Sequence, residues 1–354
     1  MKSTLKNKKI LFCSHEIGNQ MQLMAEALRS EGYNATAATY TSEWYGYKND
    51  LNLNLHLEKN KFKRHFKELV FALFCYSNYD IFHFHFGSSL YGVRIYPHLD
   101  LPILKFSGKK LFMHYRGSDI IDKRYYDHIK EGFNYNHKLF NENSIRIPAK
   151  RNLAIVKKNC DEIFVSTPNL MDVVEPSVLI PQIIQPNTRI SINKNLLNNN
   201  QTIKIVHAPT DKIIKGTEVI INSINRLKSE GFDIDLQIIE NVSPNQVIHH
   251  FRDADIGIDQ LYSGWYGKVS IELMNLGIPV FCFIHKNNIR HIGGEIPIIN
   301  VNKNNLTDKI KHYLNNPNKL SAIGQRGPGF VEKNHSQKSI TQKLIKHYSK
   351  SFTG

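Results

Sequence analysis

The stretch ADIGIDQLYSGWYGKVSIELMNLGIPV occupies residues 254–280 and holds a strand, a loop, a helix and the start of a further strand. The apolar run Ile256–Gln260 predicts a buried strand, and the residues around Tyr266–Leu276 predict a helix. Pro279–Ile284 predicts the strand that follows. A strand that passes through a glycine loop into a helix and then into another strand is the repeating unit of a parallel α/β sheet.

The same alternation continues on both sides of this stretch. The later half adds predicted strands and helices at Ile203–Val206, Thr217–Glu230, Asp235–Glu240 and Pro244–Asp253. The earlier half has predicted strands at Lys9–Ser14, Ala35–Tyr40, Tyr79–Phe86, Lys110–His114 and Glu162–Ser166, with a helix at Met21–Glu31. Residues 186–202 contain a proline and three consecutive asparagines and lack periodicity, so they predict a linker. We therefore expect an α/β protein of two Rossmann-like, doubly wound domains, residues 1–185 and 203–335, facing a central cleft.

The C-terminal segment predicts one more helix. Ile340, Leu344 and Tyr348 recur at a spacing of four, which is typical of an amphipathic helix. Gly327-Pro328-Gly329 predicts a turn before it. We expect the helix, residues 336–354, to pack back on the first domain.

The composition excludes several classes of protein. The chain of 354 residues has 46 Lys and Arg against 31 Asp and Glu, a formal charge of +15. A hydrophobic content of 41% excludes wholesale disorder, and no apolar run approaches the roughly 18 residues of a membrane-spanning helix. The four cysteines lie far apart without a CxxC pair, so neither a zinc site nor a disulfide framework is indicated. We expect a cytoplasmic protein with reduced thiols.

The densest basic group is Lys59, Lys61, Lys63, Arg64 and Lys67, followed by the apolar residues Leu69, Val70, Phe71, Leu73 and Phe74. Two interpretations are open. The first is a solvated helix end that runs into a buried helix. The second is a helix that lies against anionic lipid.

Two blocks of the second half carry candidate chemistry. Gly267 precedes a helix, so backbone N–H groups and the helix dipole can attract an anion there. Glu272 lies on that helix roughly 8 Å further along. This is about the distance from a phosphate bound at the helix start to the ribose of the same nucleotide. Lys212 and Lys215 follow the strand Ile203–Val206 and could clamp a diphosphate. A capping or salt-bridged Glu272 and solvated lysines are the structural alternatives.

Other patterns in the sequence are similar to metal or catalytic sites but lack what such sites require. Asp253 and Asp255 have the spacing of a metal-binding DxD, but they fall on a helix–strand boundary. His83 and His85 share one face of a strand, and two ligands do not complete a zinc site. A GxSxG elbow and a GxGxxG loop are both missing from the expected positions, which argues against a hydrolase and a dehydrogenase.

These blocks together resemble the GT-B-fold glycosyltransferases of the family 4 (group 1) type. The resemblance rests on Lys215-Gly216, on Glu272 followed by Gly277-Ile278-Pro279-Val280, and on His114-Tyr115-Arg116-Gly117-Ser118-Asp119. The glycine loop at Gly18 and the strand in Asp161–Pro168 extend it over most of the chain. In one respect the chain departs from the family, which often has two glutamates eight residues apart. The second is present as Glu272, but the position of the first is occupied by Gly264.

The resemblance implies roles for particular residues. The donor diphosphate would be bound by Lys215, Lys212, Gly18, Gly267 and Tyr266, and the nucleotide ribose by Glu272. His114 would lie beside the donor sugar as the catalytic residue. Arg116 and Asp119 would lie on the acceptor side, although a capping role for Asp119 ranks first.

The implied function is a hexosyltransferase-like enzyme that is retaining and needs neither metal nor cofactor. It would move a sugar from a nucleotide-diphosphate sugar to a cell-surface glycan or lipid-linked precursor, as in polysaccharide biosynthesis, with peripheral membrane contact and no nucleic acid. The alternatives are a GT-B-like sugar-nucleotide epimerase or hydrolase, and a basic module that binds membrane surfaces or nucleic acid.

Overall fold

The computed structural model describes residues 5–41, 47–92, 98–117, 119–120, 147–185, 202–292 and 294–352. These residues form two compact units. The first holds the described residues up to 183 together with 337–352, and the second holds the described residues from 184 to 336. The predicted linker lies outside the described residues except for Thr202.

The first unit is built on a seven-stranded sheet in which every neighbouring pair is parallel. The strand order is β3-β2-β1-β4-β5-β6-β7. The central strands are continuous apolar runs, as expected where both faces of a parallel sheet are covered. The strands are β1 (Lys9–Cys13), β2 (Asn34–Thr39), β3 (Leu51–Asn52), β4 (Ile81–His85), β5 (Lys110–Tyr115), β6 (Glu162–Val165) and β7 (Val178–Leu179).

Helices cover both faces of this sheet. One core cluster joins the sheet to α1 (Gln20–Ser30) and to the C-terminal helix α12 (Gln337–Lys350). A second cluster, on the other face, joins it to α2 (Lys61–Asn78), α3 (Asp100–Phe106) and α4 (Ile147–Asn159). The first unit is therefore a three-layer α/β structure.

The C-terminal helix α12 packs on α1 within the first unit. Ile340, Leu344 and Tyr348 are all buried in the core cluster that contains α1. The spacing of these residues thus predicts both the helix and its buried face.

The second unit has a five-stranded parallel sheet in the order β12-β11-β10-β8-β9. Its strands are β8 (Ile203–His207), β9 (Ile234–Ile238), β10 (Ile256–Ile258), β11 (Val280–Cys282) and β12 (Ile299–Asn300). Its helices are α5 (Lys212–Lys215), α6 (Thr217–Ser229), α7 (Pro244–Asp253), α8 (Lys268–Asn275), α9 (Lys286–Ile289), α10 (Leu306–Leu314) and α11 (Pro317–His335).

Both sheets reverse their strand order next to the first strand of the unit, which is where ligands bind in open α/β sheets.

Two expectations from the sequence are wrong. Gly327-Pro328-Gly329 is not a turn but lies inside α11. A Cβ on Gly327 would lie 2.4 Å from the carbonyl oxygen of Met274, and one on Gly324 would lie 2.3 Å from that of Gly277. These glycines therefore allow α11 to pack directly against the backbone of α8 and the turn after it.

The second correction concerns α2, which is not a buried helix. Among its 18 residues only Cys75 is fully buried, while Phe62, Phe66, Leu73 and Phe74 are exposed. No helix among the described residues has both the length and the apolar composition needed to cross a membrane.

Candidate functional site

The candidate site of the second unit lies where its strand order reverses. β8 and β10 are neighbours, and the chain leaves β8 toward β9 on one side and β10 toward β11 on the other. The loop after β8 leads into α5, and the loop after β10 leads into α8. Both loops start at the carboxyl ends of adjacent parallel strands, so their residues are brought together.

Lys215 and Asp259 form a buried ion pair between these two loops. The Lys215 Nζ lies 2.9 Å from Asp259 Oδ1 and donates to Gln260 Oε1 at 2.6 Å. The Leu261 N–H also donates to the Lys215 carbonyl at 3.2 Å. The Lys215 ammonium, which the sequence predicts to bind a ligand, is therefore held in a fixed position by other side chains of the protein.

The start of α8 converges on the same carboxylate. The Gly267 N–H and the Ser270 hydroxyl both donate to Asp259 Oδ2, at 2.8 and 2.6 Å. Burial favours the neutral form of Asp259, but attraction to Lys215 and these hydrogen bonds outweigh it, so the pKa of Asp259 lies below its usual value. An internal anion thus occupies one position at the helix start where the sequence predicts a phosphate.

Glu272 lies one turn further along α8. Its carboxylate is largely buried and pairs with the Lys268 ammonium at 3.6 Å. Burial raises the pKa of Glu272, and Lys268 opposes this effect while the negative charge of Asp259 adds to it. The sequence points separately to Lys215, Gly267 and Glu272. In the structure they surround or adjoin Asp259.

Gly264, which stands where the glycosyltransferases that the sequence resembles often have a glutamate, lies in a loop whose backbone favours glycine. Its φ of +69° lies in the left-handed region, where a side chain is strained. Its carbonyl accepts from the His285 N–H at 2.9 Å and from Asn288 Nδ2 at 2.7 Å. A Cβ at this position would lie 3.2 Å from the Cβ of His285, so the loop is fitted to glycine.

The other two predicted phosphate ligands of this unit are placed differently. Tyr266 is buried, and its hydroxyl forms a 3.0 Å hydrogen bond with His335 Nε2, so its side chain is part of the core. The exposed Lys212 ammonium lies 2.8 Å from Glu240 Oε2. Neither side chain joins the Asp259 cluster through a hydrogen bond or ion pair that the structure describes.

In the first unit, the start of α1 is also occupied by an internal carboxylate. Glu16 is buried and accepts from the N–H groups of Met21 and Gln22, both at 3.1 Å. Burial raises the pKa of Glu16 despite these bonds and the attraction of Arg116. The predicted phosphate ligand Gly18 lies in the loop that Glu16 closes in this way.

His114, the predicted catalytic residue, has no exposed surface. Its Nε2 contacts the carbonyl oxygen of Ile180 at 3.2 Å and the hydroxyl of Ser166 at 3.3 Å, and its Nδ1 lies 3.2 Å from His83 Nε2. Burial, assisted by the charge of Arg116, lowers its pKa well below the usual value. His114 is therefore a neutral ring that cannot contact a ligand in this conformation.

Arg116 and Asp119 stabilise the loop that follows β5. The Arg116 guanidinium donates to Ser166 Oγ at 2.9 Å and to His85 Nδ1 at 3.1 Å. Burial lowers its pKa to about 10. The Asp119 carboxylate accepts from the N–H groups of Arg116 and Gly117, and burial raises its pKa to about 6. Asp119 thus closes the turn after β5, and its predicted roles as a helix cap or an acceptor-side residue stay predictions.

Within the described residues, the group with the spacing of metal ligands is His83, His85 and His114, whose ring nitrogens lie within 4.8 Å of one another. The register of β4 and β5 pairs His85 with His114 and supplies the third histidine that the sequence pattern lacked.

The hydrogen bonds of this cluster assign the ring protons. The Ile180 carbonyl can only accept, so His114 Nε2 carries the ring proton and His114 Nδ1 accepts from His83 Nε2–H. His83 Nδ1 then accepts from the Tyr348 hydroxyl at 2.5 Å. Arg116 can only donate, so it occupies the lone pair of His85. With these tautomers the three acceptor nitrogens are all engaged, while His85 Nε2 carries a proton and has no hydrogen-bond partner among the described residues. The arrangement is therefore a buried hydrogen-bond network rather than a set of free metal ligands.

Sequence reasoning missed Asp259, Gln260 and Glu16. Asp259 and Gln260 directly follow an apolar strand. Polar residues at the carboxyl end of a buried strand are a detectable signal, because ligands bind at that edge of a parallel sheet. Glu16 follows β1 in the same way, two residues before the glycine of the loop.

No family model matches this chain, and no curated protein matches it in sequence. Solved structures match it over nearly its whole length. A glycosyltransferase from Rickettsia africae is 13% identical with a TM-score of 0.64, over 98% of this chain and 100% of that one. The Anabaena protein HepE, in complex with UDP and glucose, is 12% identical with a TM-score of 0.60, over 97% and 100%.

An enzyme of another class matches as well. The UDP-GlcNAc 2-epimerase from Neisseria meningitidis, bound to UDP-GlcNAc, is 12% identical with a TM-score of 0.58, over 97% of this chain and 100% of that one. At these identities the likeness shows the fold, which is α/β with two parallel, Rossmann-like sheets of the GT-B type.

Proposed function

We propose that the chain is a nucleotide-sugar-dependent glycosyltransferase of the family 4 type. The observation that carries the proposal is the grouping of Lys215, the start of α8 and Glu272 at the point where the second sheet reverses its strand order. A cation, a helix start and a nearby carboxylate are the groups that recognise a diphosphate followed by a ribose. The fold shared with nucleotide-sugar enzymes supports this assignment.

Lys215 would contact the donor diphosphate through one hydrogen of its ammonium. The ammonium has three N–H donors, and Asp259 and Gln260 accept two of them. Holding the group in place in advance reduces the entropy lost on binding. Lys212 and Gly18 are proposed as further phosphate contacts, through the Lys212 ammonium and the Gly18 backbone. Gly267 would contribute through the dipole of the helix it precedes, because its own N–H donates to Asp259.

Glu272 would accept the hydroxyl hydrogens of the nucleotide ribose. A carboxylate has acceptor capacity for two hydroxyl donors while it remains near Lys268. In the transfer, the acceptor hydroxyl oxygen forms a bond to the anomeric carbon while the bond from that carbon to the diphosphate oxygen breaks, and the hydroxyl proton passes to the departing diphosphate oxygen. Lys215 and the α8 dipole would stabilise the charge on the departing diphosphate, and we propose a retaining reaction without a metal ion.

His114, Arg116 and Asp119 belong to the acceptor-side part of the proposal. Because His114 is buried, its proposed role is to position Ser166 and, through it, the Arg116 guanidinium. A glycan or a lipid-linked sugar is the proposed acceptor class.

A sugar-nucleotide epimerase is the second candidate, because an epimerase bound to UDP-GlcNAc has the same fold. The two functions differ in whether an acceptor is consumed. Thermal-shift measurement with UDP, GDP, ADP and CMP sugars identifies the donor, and incubation of the labelled donor alone then follows its fate. Conversion to a second nucleotide sugar without acceptor would establish the epimerase, and failure of every nucleotide to bind would refute both.

A further inference from the structure

Helix α2 presents its apolar face to solvent. Phe62, Phe66, Leu69 and Leu73 recur at i, i+4, i+7 and i+11, so they form one stripe along the helix. All four are exposed, Phe62 by 88%. Glu68, by contrast, lies toward the unit with a side chain only 13% exposed. Phe71, Ala72 and Cys75 pack inward in the second core cluster, so α2 carries apolar residues on its outer side as well as on its inner side.

Helix α3 has the same feature. Leu99, directly before α3, and Ile103 and Phe106 within it recur at i, i+4 and i+7 and are exposed, Phe106 by 95%. Leu101 and Leu104 of this helix are buried. Both helices lie on the same face of the first sheet, since both contribute to its second core cluster. The Tyr76 hydroxyl at the end of α2 lies 2.9 Å from the hydroxyl of Ser107, just beyond α3. The exposed apolar residues of α2 and α3 are called the α2–α3 surface below.

Basic residues border this surface. Lys59, Lys61 and Lys63 are exposed at the start of α2 and form no ion pair with any described residue. Arg64 and Lys67 follow, and each is paired with a glutamate, Glu68 and Glu58 respectively. The basic residues therefore exceed the acidic ones around the exposed aromatic side chains.

We propose that the α2–α3 surface docks on an anionic phospholipid bilayer. Exposed phenylalanine and leucine beside lysine are the composition of helices that lie in the membrane interface, where rings enter the acyl boundary and ammonium groups meet lipid phosphates. A second copy of the chain fits this surface less well, because a protein with a formal charge of +15 offers less negative charge to complement these lysines. The lipid also supplies the charge that complements Lys59, Lys61 and Lys63.

This proposal goes beyond the proposed transfer reaction and does not depend on it. Vesicle binding is measured without any nucleotide, so its outcome is separate from the donor-binding test. If both hold, the first unit is anchored where a lipid-linked acceptor would be found.

The test is cosedimentation of the full chain with vesicles. We expect retention on phosphatidylcholine vesicles containing about 30 mol% phosphatidylglycerol at low salt, and release at high salt, because screening weakens the lysine–phosphate attraction. The variant Phe62→Ser/Phe66→Ser/Phe106→Ser should lose binding. The variant Lys59→Gln/Lys61→Gln/Lys63→Gln should bind roughly 100-fold more weakly, since each lysine near the surface contributes about five-fold.

Matched controls lie in the second unit. Ile289→Ser removes an exposed apolar side chain, and Lys303→Gln/Lys309→Gln/Lys319→Gln removes three exposed charges elsewhere. Both should bind like the wild type. All substituted residues are exposed, and unchanged melting temperatures would confirm that each variant folds.

Three results would overturn the proposal. The first is wild-type protein that stays in the supernatant with anionic vesicles. The second is an equal loss of binding in the control variants. The third is a wild-type dimer in solution that does not bind vesicles and becomes monomeric in the phenylalanine variant, which would assign the surface to self-association.

Discussion

Lys215 and Asp259 form an ion pair that is nearly closed to solvent, with side chains 13% and 1% exposed. Removing one partner of such a pair leaves an uncompensated buried charge. We expect Lys215→Ala to lower the free energy of unfolding by about 3–5 kcal/mol. We also expect it to weaken nucleotide-diphosphate binding by roughly ten- to hundred-fold, from the loss of one charge-assisted contact. Chemical denaturation and calorimetric titration with UDP or GDP measure the two effects.

Lys212→Ala is the control for stability, because the Lys212–Glu240 pair is exposed and should contribute less than about 1 kcal/mol. The double variant Lys215→Ala/Asp259→Asn should be more stable than Lys215→Ala alone, since the unpaired charge is gone. Equal stability of Lys215→Ala and the wild type would show that the pair does not hold the two loops together. Unchanged diphosphate affinity would remove Lys215 from the donor site.

Glu272 distinguishes ligand binding from a structural ion pair. Glu272→Gln keeps the size of the side chain but removes the charge, and Glu272→Ala removes both proposed ribose contacts. We expect nucleotide affinity to fall in both, more in the alanine variant and by a few kcal/mol at most. The melting temperature should change little, because burial already disfavours the charged form of Glu272.

Lys268→Met is the matched control, since it breaks the same Lys268–Glu272 pair without removing any ribose contact. If Glu272 serves only that pair, Lys268→Met and Glu272→Gln should have equal melting temperatures and unchanged affinity. Affinity lost only in the Glu272 variants supports the ribose assignment.

At the residue scale, residue type and local spacing support predictions about neighbours on one element. They do not predict contacts between residues that are far apart in the sequence. Glu272 stands five residues after Gly267, so their relation on one helix follows from helical geometry. Asp259 is 44 residues from Lys215, and only the sheet order makes them neighbours. The three-histidine cluster is similar, since the register of β4 and β5 brings His114 to His83 and His85.

At the scale of elements, the periodicity of the sequence predicts where helices lie but not which of their faces are buried. The bounds of α7, Pro244–Asp253, agree with the prediction to the residue. The apolar run of α2 is compatible with both a buried helix and a helix against lipid, because a stripe pattern alone does not say which face meets the sheet. Gly327 and Pro328 predicted a turn, because glycine in a close helix contact has the same local sequence as glycine in a loop.

The C-terminal helix α12 is attached to the first sheet by a polar contact as well as by apolar packing. The buried Tyr348 hydroxyl bonds to His83 Nδ1 at 2.5 Å. Tyr348→Phe leaves that nitrogen without a partner, so we expect the free energy of unfolding to fall by about 1–3 kcal/mol. Tyr76→Phe, which removes an exposed hydroxyl, is the control and should change it by less than about 0.5 kcal/mol. Equal effects of the two substitutions would show that the contact contributes nothing specific.

At the scale of the whole molecule, buried titratable groups link stability to pH in two opposite directions. Burial lowers the pKa of His83, His85 and His114 well below 6.5, and the charge of Arg116 adds to this. Below about pH 6.5 the unfolded chain binds protons that the folded chain rejects, so these histidines reduce stability as the pH falls. Burial also raises the pKa of Asp100 and Asp119 to about 6, and between about pH 6 and 4 these carboxyls have the opposite effect.

A comparison of variants separates the histidine contribution from that of the carboxyls. In His85→Gln the amide oxygen can still accept from Arg116, but the side chain takes no proton on unfolding. The stability of the wild type relative to His85→Gln should therefore decrease by about 1.4 kcal/mol per pH unit below about pH 6.5. Denaturation curves at about pH 7.5, 6.5 and 5.5 measure this difference, with His56→Gln, an exposed histidine, as the control that should parallel the wild type. Parallel curves for His85→Gln and the wild type would mean that His85 takes up its proton equally in the folded and the unfolded chain, which would contradict the neutral form assigned to His85 in the histidine network.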